Sequence, residues 1–186
     1  MTPAKHIIID LEATCWDRGE ERGRQGQIIE IGAVLVDDEF EVVGESQTFV
    51  KPKANPTLSD FCTALTTITQ AQVDSAPGLP DALRSFTSDV ERKAGRRIGE
   101  LEFLSWGFYD RKQFERECAI RGIKYPFGPH RSLKHEFADR RKIKPCGMAE
   151  ALVILRIPLG GTHHRAIDDS RNIARIFQLE WGPKSA

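Results

Sequence analysis

The 186-residue chain lacks a charge excess of either sign: 27 Lys and Arg balance 27 Asp and Glu. That excludes a protein gripping long nucleic acid by bulk electrostatics, which needs a large basic surplus. A short, local contact with a strand stays open. Cysteine is scarce, and the four present (Cys15, Cys62, Cys118, Cys146) form no C-x-x-C pair. A zinc knuckle therefore has little support. Long apolar runs are missing too, since nothing approaches the roughly 18 residues that cross a bilayer. The apolar stretch of MTPAKHIIID is too short for a signal peptide and meets an acid at once. These absences point to reduced thiols, mostly core, in a cytoplasmic protein with no membrane partner. No repeat, low-complexity tract or long linker interrupts the chain. With 40% hydrophobic and 29% charged residues, one domain over residues 1–186 is expected, its core from about 5 to 181.

What is present reads first as strands. HIIIDLEA and QIIEIGAVLVDD are apolar runs, and EFEVVGESQTFVKP follows a turn at Asp37, Asp38 and Glu39. Such short connections pair strands antiparallel. From Asn55 the texture changes: Pro56, Ser59 and Asp60 are start signals, and Phe61, Leu65 and Ile68 recur at helical spacing. A helix is predicted from Pro80 to about Ala94, closed by Gly95. LEFLSWG reads as a short strand, and helices follow over about 110–121, 132–140, 148–155 and 166–181. Strands first, then helices interleaved with strands, predict an α/β domain with a mixed sheet.

Acids stand where such a fold prefers apolar side chains. In the first strand, alternation puts Ile8, Asp10 and Glu12 on one face and Ile7, Ile9 and Leu11 on the other. Two ionised carboxylates that close need a cation, unless both sit in solvent at a strand end. Asp110 opens a helix and has a sufficient role as its N-cap. It also shares a stripe with Phe114 and Cys118, which aims it at the sheet edge where open α/β sheets hold ligands. In GGTHHRAIDDSRNIARIF, Asp169 shares a face with Ile173, Ile176 and Phe177, whereas Asp168 is turned about 100° away. Either acid also suits a helix N-terminus for its dipole. His164, five residues before Asp169, reads as a zinc ligand, a capping group or a general base, and His163 competes for each role. Together Asp10, Glu12, Asp110 and Asp169 are hard oxygen donors without a thiol, which favours Mg²⁺ or Mn²⁺ over zinc. An acidic cluster beside one histidine suits phosphoryl chemistry with two cations about 4 Å apart.

Three segments, D-L-E-A-T (10–14), S-W-G-F-Y-D (105–110) and H-R-A-I-D-D (164–169), resemble the exonuclease motifs of the DEDDh 3′→5′ exonucleases, the superfamily of ribonuclease T and the polymerase proofreading subunits. LSDFCTALTTITQAQVD (58–74), KYPFG (124–128) and GTHHRAIDDSRNIARI (161–176) are similar to its Eri-type, KapD-like subgroup, whose members trim RNA 3′ ends. The resemblance implies a ribonuclease H-like fold with a five-stranded mixed sheet, three antiparallel strands first and parallel strands after, flanked by helices. It implies two Mg²⁺ (or Mn²⁺) held by Asp10, Glu12 and Asp169, with Asp110 completing the site directly or through metal-bound water. It selects His164 over His163 as the base that activates water, and it implies nucleoside 5′-monophosphates as products. The implied partners are single-stranded RNA or DNA 3′ ends, RNA favoured, with homodimers known among relatives. Two rival readings are a non-catalytic module binding RNA ends or a protein, and a diesterase for very short oligonucleotides.

Substrate contacts are expected around the first motif, at Leu11, Ala13, Thr14 and Trp16. Trp16 reads either as a base-stacking platform or as core, and Phe61 as a wedge or as core. Residues 16–25 form a polar, glycine-bearing loop whose Arg18, Arg22 and Arg24 are placed to meet a phosphate or simply solvent. The basic run over 139–144 is a solvated face or a backbone-binding patch.

Overall fold

The computed structural model describes residues 2–20 and 23–183. Strands β1 (His6–Ala13), β2 (Ile28–Val36) and β3 (Val42–Phe49) form an antiparallel meander, as their short connections require. β4 (Glu102–Ser105) and β5 (His130–Ser132) then add parallel to the free side of β1. The five-stranded order is β3-β2-β1-β4-β5, with β1 at its centre. The expected mixed sheet is therefore found, antiparallel part first.

Seven α-helices complete the described residues: α1 (Asp60–Thr66), α2 (Gln70–Ser75), α3 (Leu79–Ala94), α4 (Tyr109–Arg121), α5 (Leu133–Arg141), α6 (Met148–Leu155) and α7 (Ala166–Trp181). Alternation along β1 separates two cores. Ile7, Ile9 and Leu11 face Phe86, Val90 and Phe114 of α3 and α4. Ile8 faces Phe137, Leu152, Ile173 and Phe177 of α5, α6 and α7. Helices thus cover both faces, and the acids of β1 lie on the α7 side.

One expectation is corrected. The helix read through Phe61, Leu65 and Ile68 is two short helices, because the chain turns at Thr67 in left-handed conformation (φ 59°). The buried hydroxyl of Thr66 accepts from Ile68 N–H across that turn, and a Thr69–Gln72 capping box starts α2. The buried stripe of α1 is Cys62 and Thr66, which leaves Phe61 40% exposed rather than core. α3 behaves as its sequence directs, with Pro80 in its first turn and Gly95 ending it at φ 67°.

Candidate active site

β1 carries Asp10 and Glu12 to the end of the sheet from which α4 and α7 depart. A register shift follows at once: Glu12 pairs with Glu30 but Ala13 with Ile28, so Ile29 is the extra residue of a bulge. Bulges re-aim side chains and end pairing beside binding sites. Asp110 is the second residue of α4, and Asp169 lies in the first turn of α7. The N-cap role expected for Asp110 falls instead to Phe108, and Asp110 turns its carboxylate inward to accept from Leu11 N–H at 3.2 Å. Two helix N-termini therefore surround the acids with free N–H groups, which moderates their repulsion.

Carboxylate oxygens of Asp10, Glu12 and Asp169 all lie within 4.8 Å of one another. Glu12, Asp110 and Asp169 are 9%, 4% and 5% exposed, so water does little to shield them. Their acidities record this. Burial, then repulsion from Asp110, Glu12 and Asp169, holds the Asp10 carboxyl well above the usual carboxylate range. Burial and the charge of Asp169 push Glu12 up to about 8. Asp110 rises to about 6 through burial, opposed by hydrogen bonds from Ser105 and Leu11. Asp169 also rises to about 6 through burial, opposed by the His164 N–H. Its Oδ2 accepts that N–H at 3.1 Å, while its buried Oδ1 has no partner.

The donor set fits a hard divalent cation: three converging carboxylates, one orphaned oxygen, and no thiolate among them. Nitrogen is also at hand, for ring atoms of His163 and His164 lie within 4.8 Å of each other and of the Asp169 carboxylate. The two rings stack with centroids 3.9 Å apart, and His163 Nε2 is 3.8 Å from Asp169 Oδ2. His164 sits at φ 64°, in the left-handed region that few residues other than glycine adopt. Burial, then the neighbouring His163, lowers its pKa, so its ring stays neutral near pH 7. Asp168 turns aside as expected and pairs with Arg171 at 2.9 Å.

Two residues that sequence reading passed over position this cluster. Glu30 is fully buried and neutralised within the protein, by Arg165 at 3.1 Å and by Ala166 N–H at 3.0 Å. It fixes the start of α7 opposite Glu12. Gly32 pairs with Asp10, and a Cβ there would lie 2.2 Å from the backbone of Ala166. Only glycine lets α7 approach closely enough to bring Asp169 to Asp10. The available signal was an acid and a glycine in an otherwise apolar strand, IIEIGAVLV.

The remaining candidates divide. Leu11 sends its side chain into the opposite core, and Ala13 is half-buried. Thr14 Oγ1 accepts from Gln27 N–H at 2.9 Å, tying β1 to the loop over 16–25. Trp16 is 9% exposed with the Arg24 guanidinium 5.3 Å above its ring, so that face is occupied. Arg18 is exposed, and Arg22 lies outside the described residues. In the run over 139–144, Arg140 and Arg141 pair with Glu180, and Arg141 lies over Phe137. Glu180 is 11 residues beyond Asp169 on α7, about 16 Å along the helix. That run is joined to the far end of the molecule.

A central strand edged with acids, antiparallel neighbours on one side and parallel on the other, under helices on both faces, is the ribonuclease H-like nuclease fold. The chain belongs to the RNase T exonuclease family, whose profile matches residues 7–177. It aligns with the nuclease domain of 3′hExo, a DEDDh family member solved with rAMP, at TM-score 0.87 and 31% identity over 97% of this chain and 94% of that one. A 3′-exonuclease solved in 3′-end-specific recognition of histone mRNA stem-loop gives TM-score 0.83 at 30% identity, over 94% of this chain and 62% of that one. Among curated relatives, the 3′-5′ exonuclease Snipper of Drosophila melanogaster is 29% identical over 95% of this chain and 69% of its own length. The 3′-5′ exoribonuclease 1 of Homo sapiens is 32% identical over 91% of this chain. The chain spans 50% of that protein, and 27% of ERI1 exoribonuclease 2 of Xenopus laevis, to which it is 33% identical. Among the described residues no helix is long and apolar enough to cross a membrane.

Proposed function

We propose that residues 1–186 form one metal-dependent exonuclease domain. It removes nucleotides from single-stranded 3′ ends, RNA in preference to DNA, and releases nucleoside 5′-monophosphates. The observation that carries the reading is the convergence of Asp10, Glu12 and Asp169 around an unpartnered buried oxygen, in a chain of the DEDDh type. Similarity to exoribonucleases and to an enzyme bound to rAMP favours RNA.

Asp10, Glu12 and Asp169 would hold two Mg²⁺ or Mn²⁺ ions, with Asp110 completing the site. When bound, the ions supply positive charge for the scissile phosphate and its leaving oxygen. The protein's own groups do the rest. His164 takes a proton from the attacking water, a role that needs a neutral ring at working pH, and burial keeps it so. The water oxygen bonds to phosphorus as the P–O3′ bond breaks, and the 3′ hydroxyl stays on the shortened strand. His164 is chosen over His163 by its five-residue spacing to Asp169. Backbone around Leu11, Ala13 and Thr14 would hold the terminal nucleotide, with Trp16 stacking only if Arg24 moves aside.

A time course on 5′-labelled single-stranded RNA with Mg²⁺ tests this. A ladder shortening from the 3′ end is expected, with 5′-monophosphates as the only small product. Undegraded RNA would leave the non-catalytic module standing, and cleavage restricted to dinucleotides would favour the short-oligonucleotide diesterase. Matched RNA and DNA in the same assay report the sugar preference.

A further inference from the structure

A basic groove lies beside Thr14, along α4 and residues 51–54. Thr14 stands two residues, about 7 Å, beyond Glu12, and a Cβ on Gly26 would lie 2.8 Å from Thr14 O and 4.0 Å from the Tyr109 hydroxyl. Gly26 begins a cavity of about 360 Å³ whose walls include Arg24, Arg116 and Arg121. It continues past Gln27, Ala54, Ile120 and Arg121 into a second cavity of about 590 Å³ lined by Lys51 and Lys53. Among the described residues the only acid along both is Glu117, 2% exposed and already bound to Arg121 at 2.7 Å. Besides Arg121, which Glu117 neutralises, four basic side chains (Arg24, Arg116, Lys51 and Lys53) line one path in a chain whose net charge is zero.

Some of these cations are fixed in place. Arg116 donates to Gly26 O and to Gln113 Oε1, and Gln113 in turn holds Glu117 and Gly26 O. Ile28 N–H donates to Glu117 at 2.6 Å, which ties α4 to β2. The arginines are thus presented on a stiff wall. Lys51 and Lys53 flank buried Pro52 and are themselves exposed. Ile120, 67% exposed, supplies an apolar rim between the two cavities. Guanidinium and ammonium groups with an apolar ledge match a sugar-phosphate backbone with its bases turned aside.

We infer that this groove is the track for the strand upstream of the 3′ terminus, with Arg24, Arg116, Lys51 and Lys53 facing successive phosphates. The inference rests on the exonuclease reading of the acid cluster. It gives the neutral chain its means of holding a polynucleotide: positive charge is gathered along one path instead of spread over the surface.

The test compares wild type with Lys51→Glu/Lys53→Glu, and with Lys142→Glu/Lys144→Glu as a control of equal charge change near the far end of α7. On single-stranded RNA of about 20 nucleotides the groove variant should raise KM about tenfold with kcat unchanged. It should also lower the slope of log KM against log salt by about 1.4, two contacts at roughly 0.7 each. A dinucleotide, too short to reach Lys51, should be cut at the wild-type rate, and the control should match wild type throughout. Fluorescence anisotropy of the same RNA in EDTA, where no strand is cut, separates this inference from the activity. Weaker binding by the groove variant supports the track even if no hydrolysis is seen. Equal binding and equal KM in all three proteins would overturn it, as would polyglutamate competing as well as RNA.

Discussion

Glu30 and Glu117 are as deeply buried as any acid of the Asp10–Glu12–Asp110–Asp169 cluster, at 0% and 2% exposed, yet each has its cation built in. Glu30 meets Arg165 and the Ala166 N–H, and Glu117 meets Arg121, Gln113 and the Ile28 N–H. Among the described residues Asp10, Glu12 and Asp169 have no such arginine, and Asp169 Oδ1 has no partner. Burying one unpaired carboxylate is costly, and burying Glu12 and Asp169 beside half-buried Asp10 costs more. Glu30 and Glu117, which hold elements together, are neutralised by arginines, and buried Asp37 is satisfied by the N–H groups of Glu39 and Glu41. Among the described residues, buried carboxylates without such partners gather at the edge where two helix N-termini meet β1. The contrast teaches that the missing charge at that edge comes from outside the chain.

Substitutions should separate the two sets. Asp10→Ala is expected to remove most of the metal's contribution, a loss of at least about a thousandfold in kcat, since that contribution is several kcal/mol and each 1.4 kcal/mol is tenfold. Steady-state hydrolysis of labelled RNA measures it, and a loss below tenfold would dissolve the contrast. His164→Ala should lower kcat by about 10²–10⁴ while Mg²⁺ affinity stays near wild type. If His163→Ala shows the larger fall, the roles of the two rings are exchanged. Glu30→Ala belongs to the other set. It strands Arg165 and a buried N–H, so thermal unfolding should report about 2–3 kcal/mol of lost stability. Unchanged stability would mean that the start of α7 is held by other contacts.

A smaller, graded effect follows from pH. The raised acids bind protons more tightly folded than unfolded, so their own contribution to the stability of the metal-free protein is full only below the ordinary carboxylate pKa values of 3.8 and 4.5. That contribution is lost as pH rises through about 6 for Asp110 and Asp169 and about 8 for Glu12. Melting temperature in EDTA should fall between pH 5 and 8, and saturating Mg²⁺ should recover it most at the alkaline end. A metal-free protein that gains stability over that window would contradict the sign. The smallest change is expected at Arg141→Ala, which loses a partly exposed pair with Glu180 and should cost about 1 kcal/mol or less, with full activity.

Much of this arrangement was legible in the sequence, where a local rule forced it. Alternation along HIIIDLEA put Asp10 and Glu12 opposite the Ile7–Ile9–Leu11 face, and helical spacing aimed Asp169 inward and Asp168 outward. Pro80 and Gly95 delimited α3 because both act on the backbone directly. The break at Thr67 was hidden, since it depends on a buried threonine hydroxyl accepting from Ile68 N–H. Glu30 and Gly32 were hidden for a related reason: their meaning appears only when α7, more than 130 residues later, comes to lie on β2. The basic groove was invisible in a zero net charge, because its cations come from a loop, from residues 51–53 and from one face of α4.

A cation entering the bare carboxylate cluster is detected by a calorimetric titration of Mg²⁺ into wild type and Asp10→Asn at pH 7. In two buffers of different ionisation enthalpy, wild type should bind saturably and release protons, because Glu12 must give up the proton that burial and Asp169 hold on it. Asp10→Asn should bind weakly or not at all. No saturable binding by wild type, or the same isotherm from both proteins, would contradict the central claim.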